Sequence, residues 1–190
     1  MEVVKTISDS DLVIDFSRPE STMSLILEAK DHKKPLVIGT TGFTDIELKL
    51  IEEASTEIPI MLSFNMSKGI YHFKKNIEQF LKDNLDSMKC LISETHHTQK
   101  VDAPSGTAIE LKKFIEINNN KKYITSIEIE SKRISDIFGI HEVIFFNDVN
   151  QISFKHEALS RKIFADGALS IAKSINSISP GIYTTQDFFK

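Results

Sequence analysis

Asp11-Leu-Val-Ile-Asp-Phe-Ser-Arg-Pro-Glu20 reads as a short buried strand running directly into a helix. The apolar run ends at Phe16. Ser17, three residues before Glu20, has the spacing of a capping box, and Pro19 suits a first helical turn. From Thr22 to His32 the apolar positions 23, 25, 26, 27 and 29 describe an amphipathic helix. The pattern then repeats. Pro35-Leu-Val-Ile-Gly39 is a second strand, Thr44-Asp-Ile-Glu47 is a capping box opening a helix to about Ser55, and Ile58-Pro-Ile-Met-Leu-Ser63 is a third strand. Strands alternating with helices of this length imply a parallel sheet with right-handed crossovers.

Beyond Ser67 the rhythm changes. The spacing predicts a long helix over 69–85, a strand over Met88–Glu94, a polar loop over 95–104 and a helix over Ser105–Phe114. Three strands follow, Ile124–Ile129, His141–Asn147 and Gln151–His156, the last two joined by a hairpin turn at Asp148-Val-Asn150. A helix over Lys162–Ile178 closes the chain, with Pro180-Gly181 as its stop. The expected fold is α/β. A truncated Rossmann-like parallel-sheet domain takes residues 1–65 and 162–190. An α+β domain with a mixed sheet, for substrate binding and oligomerisation, takes residues 66–161.

Composition narrows the function. Across 190 residues, 23 basic side chains face 27 acidic ones, for a net charge of −4, which argues against a nucleic-acid coat. Hydrophobic content of 41% and charged content of 26% are those of an ordinary globular protein. The single cysteine, Cys90, permits no intrachain disulfide and points to a reducing, cytoplasmic setting. No apolar run approaches the ~18–20 residues needed to cross a bilayer, and the first fifteen residues lack a basic-then-apolar leader pattern.

Chemistry concentrates in Glu94-Thr-His-His-Thr-Gln-Lys-Val-Asp-Ala-Pro-Ser-Gly-Thr-Ala108. Two imidazoles, His96 and His97, and Lys100 follow a strand, where α/β proteins keep their sites. Ser105-Gly-Thr107 then opens a helix whose first N–H groups, with two hydroxyls, form an anion cradle. A histidine that titrates near neutrality and a nearby lysine suit proton donation to an anionic substrate. Read singly, such a His pair is more often surface decoration or adventitious metal binding, and Ser105 reads as a plain cap. Glu94, His96 and His97 are too few and too contiguous for a zinc site, so no metal is expected. Gly39-Thr-Thr-Gly42 and Ser63-Phe-Asn-Met66 each follow a strand of the parallel sheet and belong on its carboxyl edge. A third cluster, Ser131-Lys-Arg133 with Gly139 and His141, offers an arginine suited to a carboxylate.

Taken together, Glu94-Thr-His-His97, Lys100 and Asp102-Ala-Pro-Ser-Gly-Thr-Ala108 resemble the signature of the dihydrodipicolinate reductase family. The resemblance extends to Val13-Ile-Asp-Phe-Ser17 with Pro19-Glu20, Val37-Ile-Gly-Thr-Thr-Gly42, and Asn65 with Ser67 and Gly69. It continues through Arg133 with Gly139 and His141, and Ser160-Arg161 with Phe164-Ala165 and Gly167-Ala168. It covers about residues 9 to 190. It implies an NADH- or NADPH-dependent reduction of 4-hydroxy-tetrahydrodipicolinate to tetrahydrodipicolinate, in the diaminopimelate route to lysine. His96 and Lys100 would be the acid–base pair, and His97, Ser105, Gly106 and Thr107 would hold the carboxylates of a small cyclic dicarboxylate. Gly39, Thr40, Thr41, Ser63, Phe64, Asn65 and Met66 would hold the nicotinamide half of the cofactor. The resemblance also implies a homotetramer, with neither nucleic acid nor membrane as partner.

Position 135 is Ser where the family usually has Gly, and position 68 is Lys. The family also opens with a glycine-rich strand–turn–helix that seats the cofactor pyrophosphate, and these 190 residues contain none. An alternative reading is therefore a family member that keeps the dicarboxylate pocket but binds cofactor poorly. Two lost charge-assisted hydrogen bonds of ~1.5–3 kcal/mol each already weaken binding about a hundredfold or more. The 190-residue chain is expected to bind NADH or NADPH in the high micromolar to millimolar range at best, while still binding a pyridine dicarboxylate. Titration of both ligands checks this, and submicromolar NAD(P)H binding would reveal a substitute phosphate site.

Overall fold

The computed structural model describes residues 6–189. Residues 1–5 and 190 lie outside them, and with them the outer ends of the expected 1–65 and 162–190 segments and part of the stretch read for a leader. The chain divides into two compact units, one formed by residues up to Ser67 with those from Phe164 onward, the other by Lys68–Ile163.

In the first unit, β1 (Val13–Asp15), α1 (Pro19–Asp31), β2 (Leu36–Ile38), α2 (Asp45–Ser55) and β3 (Pro59–Leu62) follow the expected alternation. The three strands pair in parallel, with Val13 opposite Leu36 and Leu36 opposite Ile60. Ile26 and Ala29 of α1 and Ile51 and Ala54 of α2 pack with Leu36, Ile38 and Ile60. Val37 and Met61, which alternate to the other face, are equally buried. A parallel sheet covered on both faces needs such continuous apolar runs, which is why Leu36–Ile38 carries no polar residue.

The Thr44–Glu47 capping box forms as expected: the Thr44 side chain accepts from the Glu47 N–H, and the Glu47 carboxylate accepts from the Thr44 N–H. The one expected at Ser17–Glu20 does not form. Ser17 turns back instead, its N–H and hydroxyl both donating to Oδ1 of Asp15 at 2.9 and 2.6 Å. A carboxylate two residues away captures the serine before the helix can. Helix α1 therefore starts at Pro19 behind Arg18, which makes no side-chain cap.

In the second unit, α3 (Lys68–Asp83), β4 (Met88–His96), α4 (Gly106–Asn118), β5 (Ile124–Arg133), β6 (Ile140–Phe146) and β7 (Gln151–Glu157) build a sheet of order β5-β4-β6-β7. β4 pairs with β5 in parallel and with β6 antiparallel, so the sheet is mixed. The hairpin at Asp148–Asn150 joins β6 to β7 as expected. Ile70, Phe73, Ile77 and Leu81 of α3 and Ala108, Leu111 and Ile115 of α4 cover one face, over Cys90, Ile92, Val143 and Phe145.

Of the boundaries that differ from the sequence reading, two move site residues. β4 runs to His96, so this histidine ends a strand rather than opening a loop. β5 runs to Arg133, which pairs in register with His96. The polar ends of both strands are held by ladder hydrogen bonds that hydrophobic patterning cannot signal. α5 (Lys162–Ile175) ends short of the expected Ile178, and Gly181, read as part of the helix stop, begins β8 (Gly181–Tyr183), parallel to β3 and followed by a short α6 (Thr185–Phe188).

Candidate active site

Strand alternation builds the site in the second unit. Met88, Cys90 and Ile92 face the helices, so Glu94 and His96 face the same way. The register sets Glu94 between Ser131 of β5 and His141 of β6, and His96 beside Arg133. The core face of the sheet thus turns polar over its last four residues, next to the start of α4.

Glu94 is the hub and is fully buried. Its carboxylate accepts from both terminal nitrogens of Arg133, at 3.0 and 3.1 Å, and from the Ser105 N–H at 3.2 Å. It also pairs with Nδ1 of His96. Burial works to raise this carboxyl, but the hydrogen bonds from His96, Arg133 and Ser131 more than offset it and hold it down at about 2. An ionised carboxylate only accepts, so Nδ1 of His96 carries the proton in that bond. Nε2 is then the ring nitrogen left for a ligand.

Arg133 does more than neutralise Glu94. Its Nε donates to the Lys100 carbonyl at 3.3 Å, and one terminal nitrogen donates to the Asp102 carbonyl. The loop carrying Lys100 is therefore tied to the strand carrying His96. The Lys100 ammonium sits on Oδ1 of Asp102 at 2.6 Å. The sequence reading gave Arg133 to a carboxylate; the carboxylate it holds is the chain's own Glu94.

Ser105 is the N-cap of α4, its hydroxyl accepting from the Ala108 N–H at 3.2 Å. The same oxygen lies 3.3 Å from Nε2 of His141. Burial, with the neighbouring His96, pushes His141 down to about 3, so this ring is neutral. Ser105 is buried with both its polar groups engaged, so it shapes the cradle from within. Gly106 and Thr107 supply first-turn N–H groups of the kind a helix cannot pair within itself. His97 is half-buried, and its Nδ1 is enclosed without a partner among the described residues. Burial lowers its pKa, and the cations Arg161, Lys100 and Arg133 push the same way. These groups gather an imidazole, two paired cations and the N–H groups of a helix start in one part of the unit, a combination suited to an anion.

The first unit holds the other candidate residues at the carboxyl ends of its strands. Asp15 is buried there, accepting from Ser17, from Thr22 and, at 3.1 Å, from Thr40. The Ser63 hydroxyl donates to the Asn65 carbonyl at 2.9 Å, and Oδ1 of Asn65 accepts from the Ser67 N–H at 3.0 Å. Thr40, Ser63, Asn65 and Met66 are thus buried and stabilise the loops, while Gly39, Thr41 and Phe64 are half-exposed. Gly42 adopts φ +89° with open space beyond its α-carbon. The carbonyl of Met66 packs so closely on Gly167 of α5 that any side chain there would collide with it.

The sequence matches two family models, dihydrodipicolinate reductase N-terminus over residues 1–66 and dihydrodipicolinate reductase C-terminus over residues 69–189. The chain belongs to the dihydrodipicolinate reductase family. A 4-hydroxy-tetrahydrodipicolinate reductase of Rickettsia bellii is 39% identical over 192 residues, covering 96% of this chain and 76% of the relative. One of Exiguobacterium sibiricum is 40% identical over 194 residues, covering 94% and 77%. Dipicolinate-bound dihydrodipicolinate reductase from Paenisporosarcina sp. TG-14 shares the fold, with a TM-score of 0.68 at 21% identity over 92% of this chain and 71% of that one.

For a member of this family the geometry around His96 gives Gly139 a definite task. A Cβ at position 139 would lie 3.1 Å from Nε2 of His96 and 3.3 Å from its neighbouring ring carbon. Gly139→Ala must shift the imidazole by a few tenths of an ångström. Since a 1 Å displacement can cost about a hundredfold, a roughly tenfold fall in kcat is expected, with little loss of dicarboxylate affinity. Steady-state kinetics beside dicarboxylate titration check it, and an unchanged kcat would show that this ring nitrogen is not in the reaction path.

Proposed function

We propose that the chain catalyses the NADH- or NADPH-dependent reduction of 4-hydroxy-tetrahydrodipicolinate to tetrahydrodipicolinate, in the diaminopimelate route to lysine. The observation that carries this reading is the joining of His96 and Lys100 by one Glu94–Arg133 network beside the N-terminus of α4. A pocket kept only to bind a dicarboxylate has no need of an imidazole and a lysine loop fastened to one buried ion pair.

His97, Gly106 and Thr107 hold the substrate carboxylates, with the positive end of α4 and the Lys100 ammonium adding potential. A dianion entering there replaces Asp102 as the partner of Lys100. The Gly39–Gly42 and Ser63–Met66 loops suit a nicotinamide, lying on adjacent carboxyl ends of parallel strands with an open left-handed glycine between. A reduced nicotinamide, when bound, supplies the hydride. The 4-hydroxyl leaves as water, and the electron density that reduction leaves on the ring takes a proton from the Lys100 ammonium, or from His96 when its Nε2 is also protonated.

The pocket is tested by Thr107→Val, which keeps the shape and removes one donor. Affinity for pyridine-2,6-dicarboxylate is expected to fall by ~1.5–3 kcal/mol, the range for a hydrogen bond to a charged group. An unchanged dissociation constant by calorimetry would remove Thr107 from the site.

Assembly as a homotetramer is part of the same proposal. The face of the mixed sheet opposite α3 and α4 bears Leu91, Ile144 and Phe146, half-buried, among the charged side chains of β5 and β7. Sedimentation of the purified chain tests it, a monomer at micromolar concentration being the contrary result. The single cysteine, buried and with its thiol pushed up to about 12, suits a cytoplasmic enzyme that needs no disulfide.

A further inference from the structure

The groups assigned to the reaction leave Glu94 without a role. It is nonetheless the most enclosed ionisable side chain of the second unit, and it bonds to His96, to Arg133 and to the Ser105 N–H at the start of α4. A buried carboxylate is costly unless its lone pairs are used, and here all are. Arg133 takes both oxygens, the Ser105 N–H takes one, and Nδ1 of His96 takes the other. Apolar residues would stabilise this position more cheaply, as Ile92 and Cys90 do two and four residues earlier on the same face.

The arrangement around His96 shows what the carboxylate does. One nitrogen of the ring is fixed on Glu94. His141 stands edge-on to the ring, with centroids 5.0 Å apart at 72°. The α-carbon of Gly139 closes a third side near Nε2. The groups facing His96 are Glu94 on its own strand, Arg133 on β5, the neutral His141 on β6, and the loop with His97, Lys100 and Asp102. Glu94 alone among them accepts its proton.

We propose that Glu94 is a positioning residue: its carboxylate fixes His96 as the Nδ1-protonated tautomer and so presents Nε2 to the substrate. This rests on the reductase reading for its consequence in turnover, but not for its effect on the imidazole. Arg133 makes it possible by keeping the buried carboxylate ionised, and it ties the Lys100 loop to the same anchor.

The test uses the full chain labelled with ¹⁵N-histidine, with the His96 signals identified by their loss in His96→Gln. In the parent chain above neutral pH, His96 is expected to show a protonated Nδ1 and an unprotonated Nε2. In Glu94→Gln the Nδ1-protonated form should give way to the Nε2-protonated form or to a mixture. In an active chain kcat should fall ~10²-fold or more, the scale of a general acid's contribution, with dicarboxylate KM within about threefold. A tautomer unchanged by Glu94→Gln, or kcat within about threefold of the parent, overturns the proposal. If Glu94→Gln does not fold, Glu94→Leu with Arg133→Met exchanges the ion pair for apolar packing and is read in the same way. A chain that is inactive throughout but shows the tautomer change fails the reductase reading and leaves the role of Glu94 standing.

Discussion

Lys100→Ala is expected to abolish turnover, and His96→Ala to lower it by a factor of ~10²–10⁴, the usual range for a general acid. The larger effect falls on Lys100 because it carries two burdens. Its ammonium is already near a carboxylate, Oδ1 of Asp102 at 2.6 Å, in a loop fastened by Arg133, so it is positioned to receive a substrate carboxylate. In the proposed reaction it is also a proton donor, on the loop that Arg133 ties to the strand of His96. His96→Ala leaves that ammonium and the α4 N-terminus in place, which is why residual turnover is expected. Steady-state rates of the two variants against the parent chain decide it. Near-normal turnover by Lys100→Ala would remove the lysine from the chemistry.

Arg133→Ala is expected to be the most damaging single change for the fold, because it strands a fully buried carboxylate. Removing one partner of a buried ion pair costs about 3–5 kcal/mol, a large share of the ~5–15 kcal/mol that stabilises a typical chain. Urea unfolding of parent and variant measures it, and a loss under ~1 kcal/mol would contradict the burial argument. Glu94→Leu combined with Arg133→Ala should recover most of the loss, since no stranded charge remains.

The same carboxylate sets an acid limit. Glu94 is held at about 2 in the fold, whereas an unfolded glutamate titrates near ~4.3. A folded pKa below the unfolded one contributes stability that is fully present above ~4.3 and is lost as pH falls toward 2. The parent chain should therefore lose stability through this window, and Arg133→Ala should show a shallower decline there because its carboxylate is no longer held low.

The parallel sheet was legible because its strands are short apolar bursts, such as Leu36–Ile38, bounded by turn residues and followed by helices with readable starts. The capping box at Thr44 followed from spacing alone. The one at Ser17 misled because Asp15, read only as part of a strand, is the stronger partner for that hydroxyl. β8, three residues long, is too short for any period and is defined by its pairing with β3.

In the candidate site, the residue types clustered within Glu94–Thr107 carried the resemblance and marked the proposed chemistry. The network that holds them did not show. Arg133 lies 39 positions from Glu94 and His141 lies 36 from Ser105; the register of β4 against β5 and β6, with α4 packed on the sheet, brings them together. The available clue was Glu94 and His96 two residues apart, which on a strand share a face. It went unused because His96 was read as part of a loop.

Reduced-nicotinamide absorbance, followed while 4-hydroxy-tetrahydrodipicolinate is supplied to the purified chain at millimolar NADH or NADPH, tests the central claim most directly. Substrate-dependent loss of that absorbance is expected, with tetrahydrodipicolinate formed in equal amount and none formed by Lys100→Ala. A chain that binds pyridine-2,6-dicarboxylate yet oxidises neither cofactor at any concentration would contradict the claim and leave a binding protein in place of a reductase.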